Sequence, residues 1–282
     1  MAGISAKDVK ALRDQTGAGM MDCKKALTDA EGNIEQALDL LRERGLSKAG
    51  KRAGRETSEG AVAVSIDGGS GTIVELGCET DFVSRNDQFQ QLVQQIADAV
   101  REAGGAAEPE QALAFKMDGE TIDEHIKAAV GRMGENIQLK RVGAIQVDGA
   151  LGGYIHGGGK LGVLVGLKTD SPAEAEGVAR DVAMHVAASD PTPLAVDRDG
   201  VDATVVEKER EILRNQALAS GKPEKIVENM VSGRINKFYA ENCLVEQPFV
   251  KDMDKKVGDV VGEAGGATVS EFIRFKLGEA AE

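Results

Sequence analysis

The chain has little aromatic content: among its 282 residues there is no tryptophan, and aromatic residues make up only 3%. Cysteine is also scarce, and the three cysteines, Cys23, Cys78 and Cys243, are widely separated and form no CxxC pair. An odd number of isolated cysteines gives no sign of a disulfide framework and is typical of small buried thiols in a reducing compartment. We therefore expect no structural disulfides, and we expect the few aromatic side chains to occupy special positions.

Positive charge is in short supply as well. The sequence has 34 Lys and Arg residues against 47 Asp and Glu residues, which gives a formal net charge of −13. Proteins that bind nucleic acids or anionic membranes need clustered positive charge, so we expect neither as a direct partner. No apolar run reaches the ~18 residues of a membrane span, and the N-terminus lacks the apolar region of a signal peptide. These absences predict a cytoplasmic protein.

The sequence also lacks the motifs of common enzymes. The only histidines, His125, His156 and His185, lie outside HExxH and have no CxxC companion, so we expect no metal site. Gly17-Ala18-Gly19 follows a predicted helix and lacks the third glycine of a dinucleotide fingerprint. The run from His156 to Lys160 is followed by leucine, where a phosphate loop needs serine or threonine. We expect no cofactor and no catalytic centre.

The first 45 residues follow a helical period. Ser5 and Asp8 have the spacing of a capping box, and two glycines separate the first helix from the second. Asn33 opens a third helix that we expect to end at Gly45. Residues 48–60 are basic and then polar without an apolar stripe, which predicts a linker or a frayed helix. The pattern as a whole predicts a small three-helix bundle.

The period then changes to two. Apolar residues alternate in 61–66 and 73–78 on either side of a glycine-rich turn, which predicts a β-hairpin. Helices are expected to start near Asn86 and near Thr121. A further strand over 137–147 has a slip in its alternation that indicates a β-bulge.

A similar order of elements recurs later in the chain. Tyr154–His156 and Leu161–Leu167 flank a second glycine turn, and Ser171 opens a helix with Glu174 in the capping-box position. Residues 268–277 supply a closing strand. Both copies end their second strand with Thr-Asp, which supports the hypothesis of two related α+β subdomains with antiparallel sheets.

A charged segment interrupts the second copy. Its thin apolar stripe predicts two antiparallel helices, 202–219 and 224–240, joined by a polar turn. A stripe of this width covers one partner helix and little more. The helical hairpin is therefore either a solvated arm or a dimerisation or docking element, and formation of a homodimer through 198–240 stays open.

These patterns together predict an α+β protein. We divide it into an N-terminal bundle with its linker (1–54), a first core subdomain (55–140) and a second core subdomain (141–282). The helical hairpin (198–240) is inserted into the second core subdomain.

One corner of the chain places a rare aromatic residue at a strand end. Leu76 and Cys78 belong to an alternating strand pattern that stops at Glu79, and a helical pattern begins soon afterwards. Phe82 thus lies at a strand-to-helix junction, where a rigid scaffold can hold a side chain towards a partner. The alternative is that Phe82 packs into the core and that Asp81 caps the next helix.

Two long motifs carry a family resemblance. Residues 12–27 read Leu-Arg-Asp-Gln-Thr-Gly-Ala-Gly-Met-Met-Asp-Cys-Lys-Lys-Ala-Leu, and residues 75–85 read Glu-Leu-Gly-Cys-Glu-Thr-Asp-Phe-Val-Ser-Arg. Together with shorter matches at 134–137, 183–189 and 247–250, they closely resemble the bacterial translation elongation factor Ts family over nearly the whole chain. The resemblance implies a guanine-nucleotide exchange factor for elongation factor Tu. It also implies a ubiquitin-associated-like (UBA-like) three-helix domain, two related core subdomains and an inserted coiled-coil arm.

The resemblance also implies contact residues. In the family, the Asp and Phe of a Thr-Asp-Phe-Val motif contact the GTPase domain of Tu. The phenylalanine wedges beside helices near the Mg²⁺ and phosphate site, which loosens the nucleotide. The matching positions in this chain are Thr80, Asp81, Phe82 and Val83. The N-terminal helices also touch the GTPase domain, and the second subdomain touches the third domain of Tu. The positions implied for these contacts are Arg13, Gly19, Met20 and His156.

The chain departs from the family pattern in two places. Gly77 stands where the family usually has asparagine, on the strand face opposite Leu76, and we expect it to soften the presentation of the following loop. The family commonly continues past a Gly-Glu pair, here Gly278-Glu279, into a C-terminal helix that docks on Tu. This chain stops at Glu282, so the resemblance does not supply that contact.

Two other functions are weighed against this one. A hydrolase could use Glu79 and Asp81 as a carboxylate pair, although the sequence places no nucleophile or oxyanion donor beside them. A ubiquitin-type adaptor could bind through residues 1–45, and the isolated bundle would then carry the main affinity. We expect instead a factor that acts on a GTPase without a catalytic centre of its own.

Overall fold

The computed structural model describes residues 4–219 and 223–279, and the predicted turn at 220–222 lies outside them. The chain begins with three helices, α1 (Ala6–Thr16), α2 (Met20–Asp29) and α3 (Ile34–Arg52). The remaining helices and strands follow in chain order: β1 Glu59–Asp67, β2 Ser70–Cys78, α4 Asp81–Ser84, α5 Asp87–Glu102, α6 Pro109–Leu113, β3 Lys116–Met117, β4 Glu120–Thr121, α7 Ile122–Met133, β5 Ile137–Gln146, β6 Gly149–His156, β7 Leu161–Lys168, α8 Pro172–Ala188, α9 Ala203–Ala219, α10 Glu224–Asn242, β8 Pro248–Phe249, β9 Asp252–Lys256, α11 Val257–Glu263 and β10 Thr268–Lys276. The predicted class, helices mixed with antiparallel sheets, is confirmed.

The N-terminal helices form a bundle with its own apolar core. The predicted capping box at the start of α1 is present, because Ser5 Oγ accepts from Asp8 N and the Asp8 carboxylate accepts from Ser5 N. Asn33 caps α3 by accepting from Gln36 N at 3.1 Å. Buried apolar side chains from all three helices fill the space between them, chief among them Leu12, Cys23, Ala26, Leu27 and Ala37.

The third helix is longer than predicted. We expected it to end at Gly45, but α3 continues to Arg52, and the linker shrinks to residues 53–58. Gly45 is buried against Gly131 of α7, where a Cβ added to Gly131 would lie 2.8 Å from the Gly45 Cα. Gly45 therefore allows two helices to pack closely and does not end α3. Glycine often ends helices, but without a side chain it also lets backbones approach each other.

Two three-stranded antiparallel sheets make up the core, in the orders β1-β2-β5 and β10-β7-β6. The predicted β1–β2 hairpin is confirmed, with Glu59 opposite Cys78 and Asp67 opposite Ser70. The predicted slip is confirmed as a register shift at Lys140 in the pairing of β2 with β5. The predicted subdomain boundary at residues 140 and 141 falls inside β5, which stays paired with β2 as far as Gln146.

The sheets pack face to face, and each carries helices on its outer side. One apolar cluster lies between the first sheet and helices α5 and α7, and another lies between the second sheet and helices α8 and α11. A third cluster fills the space between the sheets with Val62, Ile73, Ile145, Leu151, Leu164 and Phe275. Glycines from both sheets border this layer, and a Cβ on any of them would come within 3 Å of an apolar side chain: Gly71, Gly143, Gly153, Gly162 and Gly166. Glycine in a sequence usually predicts a turn. In this structure, these five glycines instead allow the two sheets to pack closely.

One predicted cap is wrong. Ser171 precedes α8 and Pro172 occupies the first turn as expected, but the Ser171 side chain makes no capping hydrogen bond. Its backbone, with ψ at 65°, lies outside the extended conformation that capping serines adopt. The Ser171 N–H instead donates to Thr169 Oγ1 at 3.1 Å, so the turn is fixed by the preceding threonine.

The predicted helical hairpin is present as α9 and α10, which pack against each other outside the two-sheet core. The apolar stripe is thinner than the sequence suggested, because only part of it faces the partner helix. Buried members are Val206, Leu213, Ala217, Val227, Val231 and Ile235. Exposed members are Val205, Ile212 and Ile226. None of the described helices is long and apolar enough to cross a membrane.

Candidate functional site

Phe82 stands on a single helical turn at the end of β2. The turn, α4, follows Thr80, whose Oγ1 accepts from Val83 N at 3.4 Å and so caps it. The Phe82 side chain is 85% exposed, more than any other large hydrophobic side chain in the described part of the chain. The alternative in which Phe82 packs into the core is therefore wrong.

The residues around Phe82 divide into exposed and anchored ones. Asp81 is partly exposed and forms an ion pair with Arg85, with 3.2 Å between Oδ2 and Nη2. Val83 packs against the apolar cluster of the first sheet, and Ser84 is buried. Asp81 does not cap the next helix, because Asn86 Oδ1 accepts from Gln88 N at the start of α5. The turn thus presents Asp81 and Phe82 while its other side is tied to the core.

The Glu135 carboxylate holds the start of this turn through three hydrogen bonds. Its Oε2 accepts from Glu79 N at 3.1 Å and from Thr80 N at 3.0 Å, and its Oε1 accepts from the Thr80 hydroxyl at 2.5 Å. In return, Glu79 Oε1 accepts from the backbone N–H of Asn136 at 2.6 Å. Two carboxylates therefore cross-link the end of β2 to the segment that leaves α7.

The ionisable side chains of Glu79 and Cys78 have structural roles. The hydrogen bond from Asn136 N, followed by the interaction with Arg55, lowers the pKa of the Glu79 carboxyl. Burial, with the nearby Glu135 charge, raises the pKa of the Cys78 thiol to about 12. A carboxylate held by two partners and a fully protonated thiol supply neither the base nor the nucleophile that hydrolysis needs. Within residues 4–219 and 223–279, no group of three or more acidic, histidine or cysteine side chains could hold a metal ion.

The predicted contacts of the N-terminal bundle lie on its exposed side. Arg13 and Gly19 are exposed, and Met20, the first residue of α2, is 47% exposed. The turn between α1 and α2 also lies against the core. A Cβ on Gly17 would lie 3.2 Å from Arg132 Cδ and 3.8 Å from Gln88 Nε2. Since Gln88 belongs to the first turn of α5, the bundle reaches the same region as the Phe82 turn.

His156 lies in a different element, the turn between β6 and β7. It is exposed, and its Nδ1 lies 3.0 Å from the Tyr154 hydroxyl. This turn borders the free edge of β1, where Gly159 O accepts from Val62 N at 2.8 Å. Val62 is close to the end of the hairpin at which Cys78 leads into the Phe82 turn. The predicted contact residues therefore lie in three separate places: the α1–α2 turn, the Phe82 turn and the β6–β7 turn. Residues next to these turns contact one another in the structure.

The sequence analysis included Glu135 and Asn136 only in the short family match at 134–137 and assigned neither residue a role at this site. The local signal beside them is Gly134, which follows α7 with φ of 79° and ends it as a left-handed cap. A helix stop of this kind fixes the direction of the following residues. Nothing in the sequence, however, pairs Glu135 with backbone atoms more than 50 positions earlier.

Comparison with known proteins identifies the family of the chain. A sequence model of the family described as "Elongation factor TS" matches residues 79–279. The "Elongation factor Ts" of Prosthecochloris aestuarii (strain DSM 271 / SK 413) is 49% identical over 290 residues, which cover 99% of this chain and 100% of the relative. The "Elongation factor Ts" of Chlorobium phaeobacteroides (strain BS1) is 46% identical with the same coverage. The chain therefore belongs to the elongation factor Ts family.

Proposed function

We propose that this chain promotes the release of GDP from elongation factor Tu by placing Asp81 and Phe82 beside the Mg²⁺ and phosphate site of that GTPase. As a member of the elongation factor Ts family it is a nucleotide exchange factor and catalyses no reaction of its own. The observation that carries the wedge is the 85% exposure of Phe82 on a turn whose other side is anchored. An exposed phenylalanine gains free energy when a partner removes its side chain from water.

The size of the effect requires more than one contact. An exchange factor binds the nucleotide-free GTPase more tightly than the nucleotide-bound form, and each ligand weakens the other. Speeding release by ~10⁴ takes about 5.5 kcal/mol of differential binding, whereas burying one phenylalanine supplies about 1.5–3 kcal/mol. Asp81 and contacts outside the turn must provide the rest.

The remaining predicted contacts suit this role. We propose that Arg13, Gly19 and Met20 bind the same domain of elongation factor Tu as Phe82, while His156 binds another domain. The α1–α2 turn packs beside the first turn of α5, which supports a shared surface. Because several contacts hold the partner in place, Phe82 can push on the nucleotide site without the whole partner moving away.

We also propose the finer domain division that the family implies. Residues 1–54 form a UBA-like domain, and the two sheets with their helices form two related subdomains. We place the division between the subdomains after Gln146, where β5 ends, and we treat 198–240 as an inserted arm. The order of a hairpin followed by a helix in both halves supports this division.

The direct test is the rate at which fluorescent GDP leaves elongation factor Tu. We expect wild-type protein to accelerate release and Phe82→Ala to lose most of the acceleration, since the side chain supplies contact and no core packing. The matched control is Ile66→Ala, an exposed apolar residue at the opposite end of the β1–β2 hairpin. A folded Phe82→Ala protein with the wild-type rate would rule out the wedge.

A further inference from the structure

The helical turn that presents Phe82 is too short to be stable on its own. It contains four helical residues, and isolated helices need about 12–15 residues before they are even marginally stable in water. An exposed phenylalanine on such a turn is useful only if other parts of the chain fix the turn. The structure therefore has to supply anchors from outside the local sequence.

One of these anchors comes from the segment after α7. Glu135 accepts three hydrogen bonds from the two residues that precede the turn: two from the backbone N–H groups of Glu79 and Thr80 and one from the Thr80 hydroxyl. Hydrogen bonds to an ionised acceptor are shorter and stronger than those between neutral groups. Because Thr80 also caps α4, the Glu135 carboxylate fixes both the start of the turn and its cap.

The next residue holds a different segment. Asn136 is buried, and its Nδ2 donates to Arg55 O at 2.7 Å and to Ala53 O at 3.5 Å. These carbonyls belong to the linker that joins the three-helix bundle to the first sheet. The N–H of Asn136 donates to Glu79, whose other carboxylate oxygen accepts from Arg55. Two consecutive residues therefore tie together the Phe82 turn and the linker of the bundle.

We propose that Glu135 is a positioning residue for nucleotide exchange: it holds Phe82 in the orientation that the GTPase meets, and Asn136 locks the bundle's linker to the same point. The inference rests on the proposed exchange function. It explains why two contact elements far apart in sequence act together on one partner. Glu135 itself touches no nucleotide and is expected to act only through the Phe82 turn.

The decisive variants are Glu135→Ala and Glu135→Gln. A glutamine can still accept from both backbone N–H groups with its carbonyl oxygen and donate to Thr80 Oγ1 with its amide, whereas alanine can do neither. We expect Glu135→Ala to lower the rate of GDP release at saturating exchange factor by about tenfold or more, because three anchoring hydrogen bonds are lost. The half-saturating concentration should change by less than about threefold, since the other contacts still bind the partner. Glu135→Gln should restore most of the rate.

If Glu135 only stabilised the fold, its variants would change stability without specifically freeing the Phe82 turn. The matched control is Asp123→Ala, which removes a partly exposed carboxylate from the first turn of α7, the helix that precedes Glu135, without touching the Phe82 turn. Amide hydrogen exchange of the free protein supplies a readout that needs no partner. We expect the Glu79 and Thr80 amides to be protected in wild type and Glu135→Gln and to exchange faster in Glu135→Ala. Unprotected amides in wild type would overturn the proposed anchor.

The outcomes separate this inference from the function on which it rests. If wild-type protein does not accelerate GDP release, the proposed function fails, and amide exchange still decides whether Glu135 fixes the turn. If Phe82→Ala is slow but Glu135→Ala matches wild type, the function stands and the positioning role is wrong. Should Glu135→Ala fail to fold, Glu135→Met makes the same test, because it keeps the length of the side chain and removes the carboxylate that accepts the three hydrogen bonds. A wild-type saturating rate in Glu135→Met would then contradict the proposal.

Discussion

At the scale of single residues, His185 illustrates how a buried polar side chain is satisfied. It is 2% exposed, its Nδ1 accepts from Val250 N at 3.1 Å, and its Nε2 donates to Gln247 Oε1 at 2.9 Å. Gln247 in turn donates to two backbone carbonyls, Pro191 O and Glu241 O. The neutral imidazole therefore fits this network, and a second ring proton on Nδ1 would face the Val250 N–H.

This geometry predicts a pH dependence of stability. Burial lowers the pKa of His185 below 6.5, so in acid the unfolded chain takes up the proton before the folded chain does. The free energy of unfolding should therefore fall as the pH drops below about 6.5, until the lowered folded pKa is reached. Urea unfolding at pH 7.5 and 5.5 measures this loss. We expect a smaller loss for His185→Gln, which does not titrate; parallel losses in both proteins would contradict the assignment.

Local sequence patterns placed Asp81 and Phe82 at a strand-to-helix corner, but they could not predict the environment of these residues. Alternation in β2 and the scarcity of aromatic residues singled out Phe82, yet an exposed wedge and a buried core residue have the same local pattern. Its exposure depends on Val83 and Ser84 facing inward, which tertiary packing decides. Glu135 was out of reach because its partners are separated from it by 55 or 56 positions.

At the scale of elements, helix caps and hairpins were largely predictable because their signals are local. The capping box predicted at Ser5, the helix start predicted near Thr121 and the β1–β2 hairpin are all confirmed. The errors at Gly45 and Ser171 have different causes. Gly45 meets another helix, whereas Ser171 is held outside the capping conformation where its N–H donates to Thr169 Oγ1 two residues earlier.

The contact of β6 with α8 gives a prediction at this scale. A Cβ on Gly152 would lie 2.1 Å from the Ala179 carbonyl carbon and 2.2 Å from Arg180 N, which are backbone atoms that cannot rotate away. We expect Gly152→Ala to lower the free energy of unfolding by roughly 3 kcal/mol or more. The matched control is Gly177→Ala, an exposed position inside α8 with open space around it, where the free energy should rise by up to about 1 kcal/mol. Denaturant unfolding measures both, and similar changes of one sign would contradict the packing argument.

At the scale of the whole molecule, the arm is a separate packing unit with a fixed base. The segments that enter and leave it run side by side, with Leu194 N bonded to Asn242 O and Leu244 N bonded to Ala195 O, each at 2.9 Å. Arg198 reinforces the base through hydrogen bonds to Glu246. The apolar cluster between α9 and α10 is distinct from those of the sheets, so the outer part of the arm can be changed without exposing the core.

We expect the arm to mediate self-association, because Ile212 and Ile226 remain 43% and 47% exposed after α9 and α10 have packed together. Replacing residues 211–232 by a short glycine-rich linker removes both side chains and leaves the base in place. Sedimentation velocity should show a concentration-dependent dimer for the full chain and a monomer for the shortened one. Ile212→Ser should weaken the dimer in the intact arm. If none of the three proteins forms a concentration-dependent dimer, the arm is solvated and the prediction is wrong.

The exposure of Phe82 has an optical consequence. The chain contains no tryptophan and only two tyrosines, Tyr154 near His156 and Tyr239 at the base of the arm. An indole introduced as Phe82→Trp would be the only one in the protein, standing in water on an anchored turn. Its emission would arise from the corner alone, so that spectra of this one position could follow how closely a partner covers it.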